Sequence, residues 1–65
     1  MFSEKQIKYM KNNGIVVEFI NPSDDELFKI EEVISTRLQI YGFDKNYEIT
    51  EDGLICEEIL DLLAM

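Results

Sequence analysis

The chain is expected to fold as a mainly α, small three-helix domain, with helices at about 4–12, 24–41 and 51–63 and a short extended segment at 15–20 pairing with 47–49. Three observations carry this. Ser3 with Gln6, and Ser23 with Glu26, have the spacing of capping boxes that open helices. Apolar residues after those caps recur three and four apart, the period of a helix with one buried face. Between the first two helices lies a run of β-branched and aromatic residues, which favours extended backbone.

The first helix runs from Glu4 to about Asn12 and stops at Asn12-Asn13-Gly14, residue types that tolerate the left-handed conformation closing a helix. Phe2, Ile7 and Met10 form its inner face, with Tyr9 at the margin. Lys5, Lys8 and Lys11 take the opposite side and the last turn, where cations suit the helix dipole. Ile15 to Ile20 then reads as extended. A lone strand leaves its backbone hydrogen bonds unmet, and residues 47–49 are the other extended candidate.

The second helix opens at Ser23, with Asp24, Asp25 and Glu26 in its first turn and Pro22 discouraging an earlier start. Leu27, Ile30, Ile34, Leu38 and Tyr41 mark one stripe, widened by Phe28 and Val33. Gly42 stands where a residue beyond the C-cap would turn left-handed, and Phe43 is then expected to fold back on Leu38. Thr50 caps the third helix, with Glu51 and Asp52 behind it. Gly53 costs about 1 kcal/mol there relative to alanine, and such a glycine lets another backbone approach closely. Ile55, Cys56, Ile59, Leu60, Leu62 and Leu63 make the inner face of that helix, while Glu57, Glu58 and Asp61 face water.

Sixty-five residues make one domain. At this size only about 60% of the unfolded surface is buried, and the net stability is a few kcal/mol. The net charge is −8, and thirteen of the fourteen acidic residues follow Asn12, against three basic ones, Lys29, Arg37 and Lys45. Such a body repels phosphates and anionic headgroups, so neither direct nucleic-acid binding nor a membrane partner is expected. With one cysteine and no signal-like or membrane-length apolar run, the chain is expected in a reducing cytoplasm.

The candidate chemistries are thin. Residues 44–55 place oxygen donors alternately, like a calcium loop, but Ile49 stands where glycine is required and Ile55 where a bidentate glutamate is required. Asp24-Asp25-Glu26 is explained by capping. Cys56 has no histidine to activate it and reads as a buried, inert thiol. No enzymatic activity, cofactor or metal is therefore expected. The candidate contact surface is protein-binding: Glu31 and Glu32 on the second helix, Glu57, Glu58 and Asp61 on the third, and Phe43 and Tyr47 around the loop between them. Aromatics exposed there, in acidic surroundings, would form an interaction hot spot.

Tyr47-Glu48-Ile49-Thr50-Glu51-Asp52-Gly53 resembles the Tyr-x-(Leu/Ile)-Thr-x-x-Gly step that leads from the wing into the last helix of winged-helix proteins. In that family the threonine caps the helix and the glycine admits a neighbouring strand. No separate basic recognition helix accompanies the motif, so the resemblance implies local geometry rather than DNA binding. Ser23-Asp24-Asp25-Glu26-Leu27 with Ile30-Glu31-Glu32-Val33, and Asp44 to Glu48 continuing to Gly53-Leu54-Ile55-Cys56-Glu57, are similar to short, acidic, uncharacterised proteins of Gram-positive bacteria and their phages or prophages. That resemblance implies an accessory or mobile-element role. The expected function is thus a non-enzymatic acidic module that binds a basic protein. A nucleic-acid mimic that inhibits a DNA-binding or DNA-cutting protein is the first alternative. A homo-oligomer, such as a homodimer in which residues 15–20 pair across subunits, is the second.

Overall fold

A computed structural model describes residues 2–64. They form three helices, α1 (Glu4–Asn12), α2 (Asp24–Tyr41) and α3 (Glu51–Leu63), which agree with the expected spans. Both capping boxes are complete. The Ser3 hydroxyl accepts from the Gln6 amide while the Gln6 side chain accepts from Ser3, and Ser23 and Glu26 repeat the exchange. Thr50 caps α3 by accepting from the Gly53 amide. These bonds satisfy amides that lack partners in every helix's first turn. Gly14, at φ 81°, ends α1 in the left-handed conformation that glycine adopts without steric cost.

Met10, Ile15, Phe19, Ile30, Ile34, Ile55, Cys56 and Ile59 form the core, supplied by all three helices and by the connector between α1 and α2. The helices α2 and α3 pack most extensively and run antiparallel. Glu31, in the first half of α2, shares a cleft with Leu60 and Leu63 at the end of α3. Gln6 is also buried, because its side chain closes the cap of α1.

Three expectations are corrected. Residues 15–20 form no strand and do not pair with 47–49. Residues 47–49 instead find a partner closer in sequence: Phe43 and Ile49 make an antiparallel bridge, and the Asp44 amide donates to the Glu48 carbonyl at 2.9 Å. Closing that short loop costs less chain entropy than recruiting a segment thirty residues away. The period of two nevertheless survives in the connector. Ile15 and Phe19 are buried and Val17 half-buried, while Val16 and Ile20 are 83% and 85% exposed. Glu26 takes over part of a strand partner's role. One carboxylate oxygen accepts from the Ser23 amide at 3.0 Å and the other from the Glu18 amide at 2.8 Å. These bonds, Ser23 first and Glu18 second, hold its carboxyl below the usual glutamate range.

The second correction concerns Gly42. It is itself the C-cap of α2, right-handed at φ −75° and ψ −18°, so the left-handed ending does not form. The reason lies in the next element: the Gly42 carbonyl is turned to α3, where it accepts from the Thr50 amide at 2.9 Å and lies against Gly53. The close approach expected at Gly53 is therefore present, with the end of α2 as its neighbour. Third, Phe28 and Tyr41 are exposed instead of extending the buried stripe. Phe28 falls off the line of Ile30 and Ile34 and is not among the residues packed against the core, and Tyr41 is drawn outward over Arg37, as the next subsection describes.

Candidate protein-interaction surface

The turn between α2 and α3 is built from the backbone outward. Asp44 organises it: one carboxylate oxygen accepts from the amides of Asn46 at 2.8 Å and Glu48 at 3.1 Å, while its carbonyl accepts from Tyr47 at 3.0 Å. One oxygen of Asp44, the first donor in the calcium-like spacing, is thus engaged by two amides. Thr50 ties the other end, its hydroxyl donating to the Tyr41 carbonyl at 2.8 Å. Within this frame Tyr47 is held at φ 63°, and its side chain is 88% exposed. A tyrosine in the left-handed region costs on the order of 1–2 kcal/mol. Burial of the ring offsets almost none of that strain.

Phe43 is 47% exposed; Ile49 across the bridge and Ile40 and Tyr41 just before it in the chain are exposed as well. Asp44, Glu48 and Lys45 are exposed around the same turn. Replacing Tyr47 by glycine should remove the strain and lose little packing. Tyr47→Gly is therefore expected to be more stable than the natural chain by about 0.5–1 kcal/mol in urea denaturation. A lower midpoint would show that the tyrosine ring supports the fold.

The seven candidate residues are all exposed but do not share one face. Phe43 and Tyr47 come together at the turn. Glu31 borders a cleft of about 260 Å³ between α2 and the end of α3, with Ser35, Leu60 and Leu63. Glu58 lies on a different side, in a groove of about 480 Å³ between α1 and α3. Glu51, Asp52, Leu54 and Ile55 of α3 and Lys5 and Tyr9 of α1 complete that groove. Glu57 and Asp61 continue the outer side of α3, three residues after Leu54 and Glu58 respectively. Glu32 points away from the α2 stripe, on a flank it shares with Phe28 and Lys29.

A polar cluster not anticipated from the sequence joins the three helices. Arg37 of α2 donates from Nε to the Tyr9 hydroxyl at 2.7 Å, and that hydroxyl donates to Asp52 Oδ1 at 2.8 Å. Arg37 Nη2 reaches the same oxygen at 3.4 Å. The Cys56 sulfur lies 3.4 Å from the Tyr9 oxygen. Tyrosine has one proton and gives it to Asp52, so the thiol is the donor in that contact. The guanidinium carbon sits 4.7 Å from the Tyr41 ring centre and 5.6 Å from that of Tyr9, within cation–π range. Tyr41 thus leaves the core to cover a cation.

Burial pushes the Tyr9 hydroxyl above its ordinary range, and its contacts with Cys56 and Asp52 act in the same direction. Burial likewise raises the Cys56 thiol. Both groups therefore stay protonated near neutrality. A signal was present in the sequence. Arg37 falls four residues after Val33 and three after Ile34, on the core-facing side of α2, where an unpaired cation is costly and a carboxylate partner is implied.

Among the described residues, no helix is long and apolar enough to cross a membrane. No family model, curated protein or solved structure matches the chain.

Proposed function

We propose that this chain is a non-enzymatic protein-interaction module that engages a basic partner through the Phe43–Ile49 turn and the acidic residues around it. The observation that carries the reading is Tyr47: a nearly fully exposed aromatic held in a strained backbone by Asp44 and Thr50. Rigid aromatic anchors lose little freedom on binding, and such residues dominate interface energies. The net charge of −8 supplies long-range attraction for a cationic partner. A lone cysteine fits a module of the reducing cytoplasm, and the resemblance of residues 23–33 and 44–57 to short acidic phage and Gram-positive proteins favours an accessory or mobile-element role.

The test is capture of host proteins on the natural chain and on Phe43→Ala/Tyr47→Ala. The variant is expected to lose at least about tenfold in affinity for the captured partner, the effect of removing one or two anchors. Binding by the natural chain should also weaken at least about tenfold between about 50 and 500 mM salt. A partner held equally well by the variant, or at both salt concentrations, would remove the basis of this function.

Nucleic-acid mimicry is the second reading, favoured by Glu51, Glu58 and Asp61, which recur at helical spacing along the outer side of α3. Competition separates the two: duplex DNA should displace a mimic from its partner, whereas a partner seated on the aromatic turn should stay bound.

A further inference from the structure

We propose that the groove between α1 and α3 receives a lysine or arginine side chain of a protein partner, with its aliphatic stem along Leu54 and Ile55 and its cation against Glu51 and Glu58. This rests on the protein-interaction reading and names a second contact for it. The groove measures about 480 Å³, so a long side chain fits within it. Leu54 and Ile55 give its lining apolar surface and Glu51 and Glu58 give it carboxylates, matching the two parts of a basic side chain.

Charge accounting selects the occupant. Asp52 is already matched by Arg37 and receives the Tyr9 proton. Glu51 and Glu58 remain against Lys5 across the groove, and none of these three forms an ion pair among the described residues. The groove is therefore one positive charge short of neutrality, which a single incoming cation supplies. Exposed Leu54 lies between the two glutamates, three residues after Glu51 and four before Glu58, as apolar surface for the stem. Location supports the same partner. Glu51 directly follows the capping Thr50, so the groove begins where the aromatic turn ends.

The experiment is an amide chemical-shift titration of the full chain. The probes are a blocked Leu-Arg-Leu-Arg peptide and its citrulline counterpart, which keeps the shape and lacks the charge. The arginine peptide is expected to give saturable shifts at Tyr9 and across residues 51–58. The citrulline peptide should bind at least about fivefold more weakly, and the arginine peptide should lose a similar factor on Glu51→Gln/Glu58→Gln. Asp24→Asn/Asp25→Asn, at the exposed start of α2 and outside the groove, should leave its affinity unchanged.

Shifts centred on Asp24 to Glu32, equal binding of the two peptides, undiminished binding by Glu51→Gln/Glu58→Gln, or no saturation at about 1 mM peptide would each overturn the groove assignment. The aromatic turn stands or falls separately, because capture by Phe43→Ala/Tyr47→Ala reads a native partner and not these peptides.

Discussion

Gly53→Ala is expected to destabilise the domain by at least about 2 kcal/mol, the range for forcing a methyl into a closed contact. Helix propensity alone predicts the opposite sign, since alanine is favoured over glycine by about 1 kcal/mol within a helix. The structure decides between them. A methyl at Gly53 would run into the Gly42 carbonyl and the Ile49 side chain. The first obstacle is backbone, fixed by its hydrogen bond from the Thr50 amide. Relief would require α3 to move off the end of α2, which would also disturb the cap at Thr50. Against a total of a few kcal/mol, such a loss leaves a substantial unfolded fraction at room temperature. Urea denaturation followed by helical circular dichroism measures it, with Thr36→Ala on the exposed flank of α2 as the propensity control. A Gly53→Ala chain as stable as the natural one would show that the two helix ends are not in closed contact.

The second large effect is expected in alkali. Tyr9 and Cys56 are acids whose protonated forms the fold favours, because burial acts against the charged forms. Their folded pKa values lie above the unfolded ones. Unfolding above pH 9 therefore releases protons that the native state retains. The stabilisation is fully present below the unfolded values, about 8.5 for the thiol and about 10 for the phenol. It is lost progressively as pH rises through them toward the folded values. The urea midpoint should accordingly fall between about pH 9 and 11.

Tyr9→Phe removes the phenol and should behave differently at the two ends of this range. At pH 7 it should be less stable by about 1–2 kcal/mol, having lost the hydrogen bonds to Arg37 and Asp52. Above pH 10 its midpoint should fall less steeply, so the two curves converge. General repulsion in an increasingly negative chain acts on both proteins and cancels in the comparison. Parallel curves would show that the Tyr9 proton does not contribute to folding.

Much of the interior could be read from the sequence because it depends on neighbours along the chain. Met10, Ile30, Ile34, Ile55, Cys56 and Ile59 fall at helical spacing on expected inner faces, and all are buried. Of the surface set, Phe43 and Tyr47 could be placed at one turn because they flank it. The separation of Glu31 from Glu58 onto different grooves could not, since it depends on how α1 and α2 sit against α3.

The amino-acid sequence by itself determined the three helices and their starts, because a capping serine or threonine acts on an amide three residues away and a helical stripe repeats within one turn or two. Only the tertiary structure decided the rest. It left residues 15–20 without a strand partner, turned the Gly42 carbonyl to Gly53, and drew Arg37, Tyr9 and Asp52 to one point. Those outcomes depend on groups 11 to 43 residues apart, for which local propensity carries no information and competing backbone and side-chain partners set the result.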